Sequence, residues 1–253
     1  MIYNNFSIMV PFYNCENWIE NCIKSILNQN YPHYTCIFID DASNDKSFEI
    51  VNNMINKDNR FILHKNSENK KALANIVFGI NQICDYNINP IILFIDGDDK
   101  LYSHDVLDYL NNIYQNINIW LTYGDYITLS SLQDGKHEDS CNEPLNNINE
   151  IFEYRKNFSH LKTVRYQLWA TIQDKHLRGD DGRYIQMAWD TAFMPRLIYN
   201  AGINHIKYIN KILYVYNNLS NNEYKKNVYK NGMHLQAYEN KYIRDQLRKE
   251  CNL

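Results

Sequence analysis

The chain has 253 residues, with 26 Lys and Arg against 29 Asp and Glu for a formal net charge of -3. That length suits one α/β domain with a C-terminal appendage rather than two catalytic domains, and the charge leaves no polybasic footprint for nucleic acid or anionic membrane. Gly at 8 and Pro at 5 exclude a collagenous, linker-rich or low-complexity chain, because average usage is about 7% and 5%. Tyr at 21 is in excess, but Asn, Ile and Lys are frequent too. All four use A/T-rich codons, so the tyrosines by themselves do not indicate a carbohydrate site.

Cysteines at 15, 22, 36, 84, 141 and 251 form no CxxC pair and have no histidine at zinc spacing, so reduced thiols are expected. The longest apolar run, Ile91 to Ile95, is far too short to cross a bilayer. A soluble, cytoplasmic protein is expected, in which the sequons at Asn5, Asn157 and Asn218 are chance matches.

In chain order, Ser7 to Pro11 reads as a buried strand, and Trp18 to Leu27 as a helix with one apolar face that Asn14 would cap. Thr35 to Asp40 is the next strand, followed by a weaker helix through Phe48, Val51 and Ile55. Arg60 to His64 and Ile91 to Asp96 are further strands, separated by the helical pattern Ala72, Leu73, Ile76, Val77, Ile80 and Cys84. Four βα units in succession imply a mostly parallel sheet flanked by helices, and ligands of such sheets gather at the carboxyl ends of the strands.

Four polar features fall there: Tyr13-Asn14, Asp40-Asp41, the loop from Lys65 to Lys71, and Asp96-Gly97-Asp98-Asp99. The last places three carboxylates after a buried strand, an arrangement suited to Mg²⁺ or Mn²⁺, or else to a solvated helix-capping turn. Asp40 or Asp41 is placed to accept from a ribose or base, although Asp45 alone would serve as a helix cap. Lys70 and Lys71 either counter a diphosphate or are surface lysines.

Further on, residues 130 to 147 read as a loop and Asp174 to Arg183 as a mobile segment able to close over a ligand. A helix is expected from Thr191 to Asn200 and a strand from Ile212 to Tyr216. Tyr224, Val228, Leu235, Tyr238 and Tyr242 mark a C-terminal helix that Gly232 interrupts.

Val10-Pro11-Phe12-Tyr13-Asn14, Phe38 to Asp45, Asn69 to Asn75 and Phe94 to Asp99 together resemble the N-terminal half of a family 2 glycosyltransferase. The resemblance covers roughly the first 125 residues. It implies the GT-A fold, a Rossmann-like and mostly parallel sheet, and transfer from a nucleotide sugar with inversion. Residues 1–220 would form the catalytic domain, with a donor half over 1–125, an acceptor half over 126–220, and a helical extension over 221–253.

By the same resemblance, Pro11, Tyr13, Asn14 and an aspartate of the Asp40-Asp41 pair would hold the nucleotide. Asp96 and Gly97 would lie near the ribose, and Asp96 with Asp98, the DxD pair whose principal ligand is Asp98, would bind Mn²⁺ or Mg²⁺, with Asp99 contributing directly or through water. Lys71 stands in a loop where the family usually has Gly and Arg. Ser159 to Arg165, followed by Leu168-Trp169, resembles a segment placed beside the acceptor site in some members. Met187-Ala188-Trp189-Asp190 occupies the place of their Glu-Asp element, making Asp190 the general base. His205 or His234 is a candidate third metal ligand. The donor would be a UDP-sugar and the acceptor a glycan or protein, and the C-terminal helix is a candidate homodimer surface.

Three rivals differ in particulars. A haloacid dehalogenase-type phosphotransferase has its DxD near the N-terminus, with Thr or Val where this chain has Lys100. A nucleotidyltransferase has a Gly-rich basic loop after its first strand, where Pro11 to Asn14 stands here. A degenerate nucleotide-sugar-binding module would have no need to keep Asp41, Asp96, Asp98 and Asp190.

Overall fold

The structure, a computed structural model, describes residues 3–136, 143–153, 158–220, 229–231 and 233–251. In chain order the elements run β1 (Phe6–Phe12), α1 (Ile19–Leu27), β2 (Tyr34–Asp40), α2 (Ser47–Ile55), β3 (Phe61–Lys65), α3 (Ala72–Phe78), β4 (Ile91–Phe94), β5 (Lys100–Leu101), α4 (Val106–Tyr114) and β6 (Leu121–Thr128). There follow α5 (Leu129–Gln133), β7 (Lys162–Arg165), α6 (Tyr166–Trp169), α7 (Trp189–Ala201), β8 (Ile206–Tyr216), β9 (Tyr229–Lys230), β10 (Met233–His234) and α8 (Leu235–Glu250).

Eight strands form one sheet in the order β3-β2-β1-β4-β7-β6-β8-β5. The first four are parallel, β7 runs antiparallel to both β4 and β6, β8 lies parallel to β6, and β5 closes the edge antiparallel to β8. Side chains alternate between the faces of a strand, and this sheet separates two cores on that period. Ile8 and Val10 of β1, Cys36 and Phe38 of β2, and Leu93 of β4 pack with Ile19, Cys22 and Ile26 of α1 and with Val51 of α2. Met9, Ile37, Ile39, Ile92 and Phe94 face the other way, onto Leu73 and Ile76 of α3 and Phe193 and Leu197 of α7. Strands buried on both sides need continuous apolar runs, which is why the first half reads clearly from its sequence.

The structure departs from expectation at several points. Asn14 does not cap α1. It sits at φ 47, its side chain accepts from the Asn44 amide at 2.8 Å, and Trp18 takes the N-cap position without a side-chain bond. The loop expected from 130 begins as α5, whose cap is Thr128, accepting from the Ser131 amide. The closing strand starts at Ile206 rather than Ile212. The C-terminal helix starts at Leu235, because Tyr229–Lys230 and Met233–His234 pair as an antiparallel hairpin. Cys141, Asn157, Tyr224, Val228 and Gly232 lie outside the described residues.

The 174–183 segment is tied down by polar contacts. Asp174 pairs with Arg178, Arg178 bridges to Tyr184, and Asp180 receives Lys230 at 2.7 Å as well as the Tyr238 hydroxyl. The buried side of α8, namely Glu239, Ile243, Arg244 and Leu247, faces its own chain. A homodimer through that helix would have to use its opposite side.

Candidate active site

The turn after β1 is the hub of the site. The Phe12 carbonyl accepts from the Asp41 amide at 2.8 Å, and the Pro11 carbonyl accepts from the Gly97 amide at 3.2 Å, so the ends of β2 and β4 are fastened to either side of it. Gly97 is required by this close approach: a Cβ there would stand 2.4 Å from Phe12 Cβ. Overpacking of that kind costs about 1–3 kcal/mol.

Asp41 is 4% exposed. One of its oxygens accepts from Asn66 Nδ2 at 3.1 Å and the Lys70 amide at 2.7 Å, and the other from the Lys71 amide at 2.9 Å. An ionised carboxylate has about four acceptor positions, so one remains for a ligand. Asp40 differs. Wholly buried, it accepts from the Ser43 amide at 3.0 Å, faces Lys65 Nζ at 3.9 Å and does not reach the cleft. Adjacent residues at a strand end point opposite ways, so only one member of the pair can serve the site.

The acidic turn after β4 is held by the far end of β8. The Tyr214 hydroxyl donates to Asp99 at 2.6 Å and accepts from the Asp96 amide at 3.1 Å, while the Asn217 amide donates to the second Asp99 oxygen at 2.6 Å. Asp98 accepts from the Ser220 hydroxyl. Burial acts on all three and mutual repulsion on two: Asp96 is raised to about 7 by burial and the Asp98 charge, with Lys162 opposing, and Asp99 is pushed well above the usual carboxylate range by burial and the Asp98 and Asp96 charges. Burial also raises Asp98, against the Ser220 hydrogen bond.

A cation is the natural counter-charge for such a cluster. Ligand atoms of Asp96, Asp99 and His160 lie within 4.8 Å of one another. The Asp96 carboxylate accepts no hydrogen bond from the described residues. These residues fit a hard divalent ion, in a set that differs from the expected one at two places. Asp98, turned toward Ser220, stands outside this trio, and the nearby histidine is His160 rather than His205 or His234. His205 stacks on Trp120 with ring centroids 3.9 Å apart and bonds the Asn118 carbonyl. His234 precedes α8.

In the same cleft, Asp190 lies in the first turn of α7, 38% exposed, with one oxygen accepting from the Thr191 amide at 2.8 Å. Its other oxygen is 3.3 Å from Lys162 Nζ, an ammonium with no solvent exposure on β7. Lys162 also stands 3.3 Å from His160 Nδ1 and 5.1 Å from the Trp189 ring. Burial, then that ammonium, holds His160 well below the usual imidazole range. Trp189, where the family pattern has an acid, packs against Phe94 and Phe193 as a wall.

The carboxylate that organises this loop comes instead from α8. Glu239, 6% exposed, accepts from the amides of Gln186, Met187 and Ala188 at 2.9, 2.9 and 3.0 Å. Neither Lys162 nor Glu239 was expected from the sequence as a functional residue. The signal for Lys162 was its place in the Ser159 to Arg165 segment, which did not single it out. Glu239 had none.

These parts enclose a cleft of about 610 Å³ at the carboxyl ends of the parallel strands. Of the residues expected to meet the donor, Pro11, Tyr13, Asn14, Asp41, Lys71, Asp96 and Gly97 line it and Asp40 does not, while Asp98, His160 and Asp190 complete the lining.

The fold is that of the GT-A glycosyltransferases. A crystal structure of S. aureus TarS 1-349 in complex with UDP-GlcNAc superposes with TM-score 0.65 at 16% identity, over 89% of this chain and 62% of that one. The family model described as "Glycosyl transferase family 2" matches residues 7–171, and the chain belongs to that family. An uncharacterized glycosyltransferase of Haemophilus influenzae is 38% identical over 121 residues, 47% of this chain and 46% of that protein. Glycosyltransferase GlyA of Streptococcus pneumoniae is 24% identical over 228 residues, 85% of this chain and 31% of that protein. The chain thus spans less than half the length of these two relatives.

Proposed function

We propose that the protein transfers a sugar from a nucleotide donor, a UDP-sugar, to an acceptor hydroxyl on a glycan or protein, by a single displacement that inverts the anomeric carbon. The observation that carries this reading is that a single cleft is lined by the β1 turn and Asp41, by Asp96, Gly97 and Asp98, and by Asp190. The UDP-GlcNAc in the TarS complex supports the choice of donor. Asp41 and the Pro11 to Asn14 turn receive the nucleotide base, and Lys71 lies on the same wall. Mn²⁺ or Mg²⁺ held by Asp96 with its neighbouring carboxylates would supply positive charge for the departing diphosphate. Asp190 takes the acceptor proton as the hydroxyl attacks, a role worth roughly 10²–10⁴-fold in rate. Lys162, 3.3 Å away, orients the Asp190 carboxylate.

We place the catalytic domain over residues 1–220, donor half first, with 221–253 as an extension that completes the site through Gln236 and Glu239. Buried thiols at Cys15, Cys22, Cys36 and Cys84, none of them in a disulfide, favour a reducing compartment such as the cytoplasm. Among the described residues no helix is long and apolar enough to cross a membrane.

The test is release of UDP from a panel of nucleotide sugars, with and without Mn²⁺. Metal-dependent UDP release that Asp190→Asn abolishes, with donor binding retained, is the expected result. Release of inorganic phosphate would instead favour a phosphotransferase.

A further inference from the structure

Beside the donor cleft lies a second cavity of about 260 Å³, room for roughly nine waters at ~30 Å³ each. Its aromatic walls are Tyr184 and, one turn apart on α8, Tyr238 and Tyr242. Its charges are already paired: Lys230 with Asp180 and Arg183 with Asp181, both at 2.7 Å. Gln186 lines this cavity and the donor cleft alike, four residues before Asp190. The side chain of Gln186 makes no hydrogen bond among the described residues.

Each feature narrows the occupant. A phosphate or other anion would need unpaired cations, and the two nearest are neutralised. An apolar ligand would strip water from the Asp180 and Asp181 ion pairs and leave the Gln186 amide without a partner, at a cost. A neutral polyhydroxylated ring meets both demands, since its C–H face lies on tyrosine rings while its hydroxyls meet carboxylate and amide groups.

We propose that this side cavity is the acceptor subsite and that the acceptor is a saccharide, whose attacking hydroxyl passes Gln186 to reach Asp190. The proposal rests on the glycosyl-transfer reading above. The acceptor oxygen forms its bond to the anomeric carbon as the bond from that carbon to the diphosphate oxygen breaks. The electron pair leaves with UDP, and the acceptor proton goes to Asp190.

The test uses the full chain with whichever nucleotide sugar releases UDP, and adds the methyl glycosides of glucose, galactose, mannose and N-acetylglucosamine, in both anomers. At least one should accelerate UDP release and yield a disaccharide by mass spectrometry. Tyr238→Ala and Tyr242→Ala should raise the KM for that glycoside about tenfold while moving the donor KM less than about twofold. Tyr242→Phe, which keeps the ring, guards against a folding defect and should raise the glycoside KM less than Tyr242→Ala. The proposal is overturned if no methyl glycoside accelerates release, or if the variants leave the glycoside KM unchanged. No UDP release from any nucleotide sugar would sink the glycosyl-transfer reading, and this proposal with it.

Discussion

Lys162 is the residue on which both sides of the site depend. It is a fully buried ammonium 3.3 Å from Asp190, and its charge also opposes the raised pKa of Asp96. Replacing it by methionine keeps most of the volume and removes the charge. Lys162→Met is therefore expected to lower the UDP-release rate by about tenfold or more with UDP binding retained, and Lys162→Arg to restore part of the rate. Unchanged release in Lys162→Met would mean the ammonium only fills space. Asp96 gives a second prediction, for the protein in chelator. Its folded pKa, about 7, lies above the ordinary 3.8, so the folded state binds the proton more tightly. That stabilisation is complete below the ordinary value and is lost as pH rises through the folded one. Asp96→Asn removes the effect, so the melting temperature of the variant relative to the parent should climb from about pH 5 to about pH 8. A gap that stays constant would show that Asp96 titrates normally.

At the scale of elements, the loop before α7 is organised from outside itself. Three successive amides, with no helical partner of their own, point at Glu239. An amide in its place offers one acceptor oxygen instead of two, leaving at least one buried donor unpaired at a cost of about 1–3 kcal/mol. Glu239→Gln should lower the melting temperature and reduce the UDP-release kcat several-fold at a temperature where the variant is fully folded, leaving the donor KM unchanged. A lower melting temperature with normal kcat would make Glu239 purely structural. The acidic turn follows the same logic, since β8 supplies Tyr214 and the residues after it supply Asn217 and Ser220, which hold Asp98 and Asp99.

For the whole molecule, the C-terminal helix is part of the same core as the sheet. Ile243 and Leu247 are 7% and 1% exposed within the cluster that contains Phe94 and Phe193. Burying two such side chains contributes roughly 3–6 kcal/mol, a large part of the 5–15 kcal/mol that holds a typical domain together. A chain ending at residue 220 is therefore expected to lose its cooperative thermal transition, and a sharp transition in that truncation would show the helix to be dispensable. The first half was legible in the sequence because β1, β2 and β4 are buried on both faces and must be nearly unbroken apolar runs, with their polar residues forced to the ends. Tyr13, Asn14, Asp41 and Asp96, which line the cleft, stand out in the sequence for that reason. Asp40 was not separable from Asp41 in sequence, since strand alternation decides which neighbour turns inward. In the second half, the 174–183 segment looks polar and loop-like, because alongside local ion pairs its Asp180 meets Lys230 and Tyr238, 50 and 58 residues away. What the sequence determined by itself was the chemistry at the strand ends, a local consequence of burial. Only the tertiary structure brought Lys162 to Asp190, His160 to Asp96 and Glu239 to the loop before α7, because contacts between residues dozens of positions apart leave no periodic trace in any one segment.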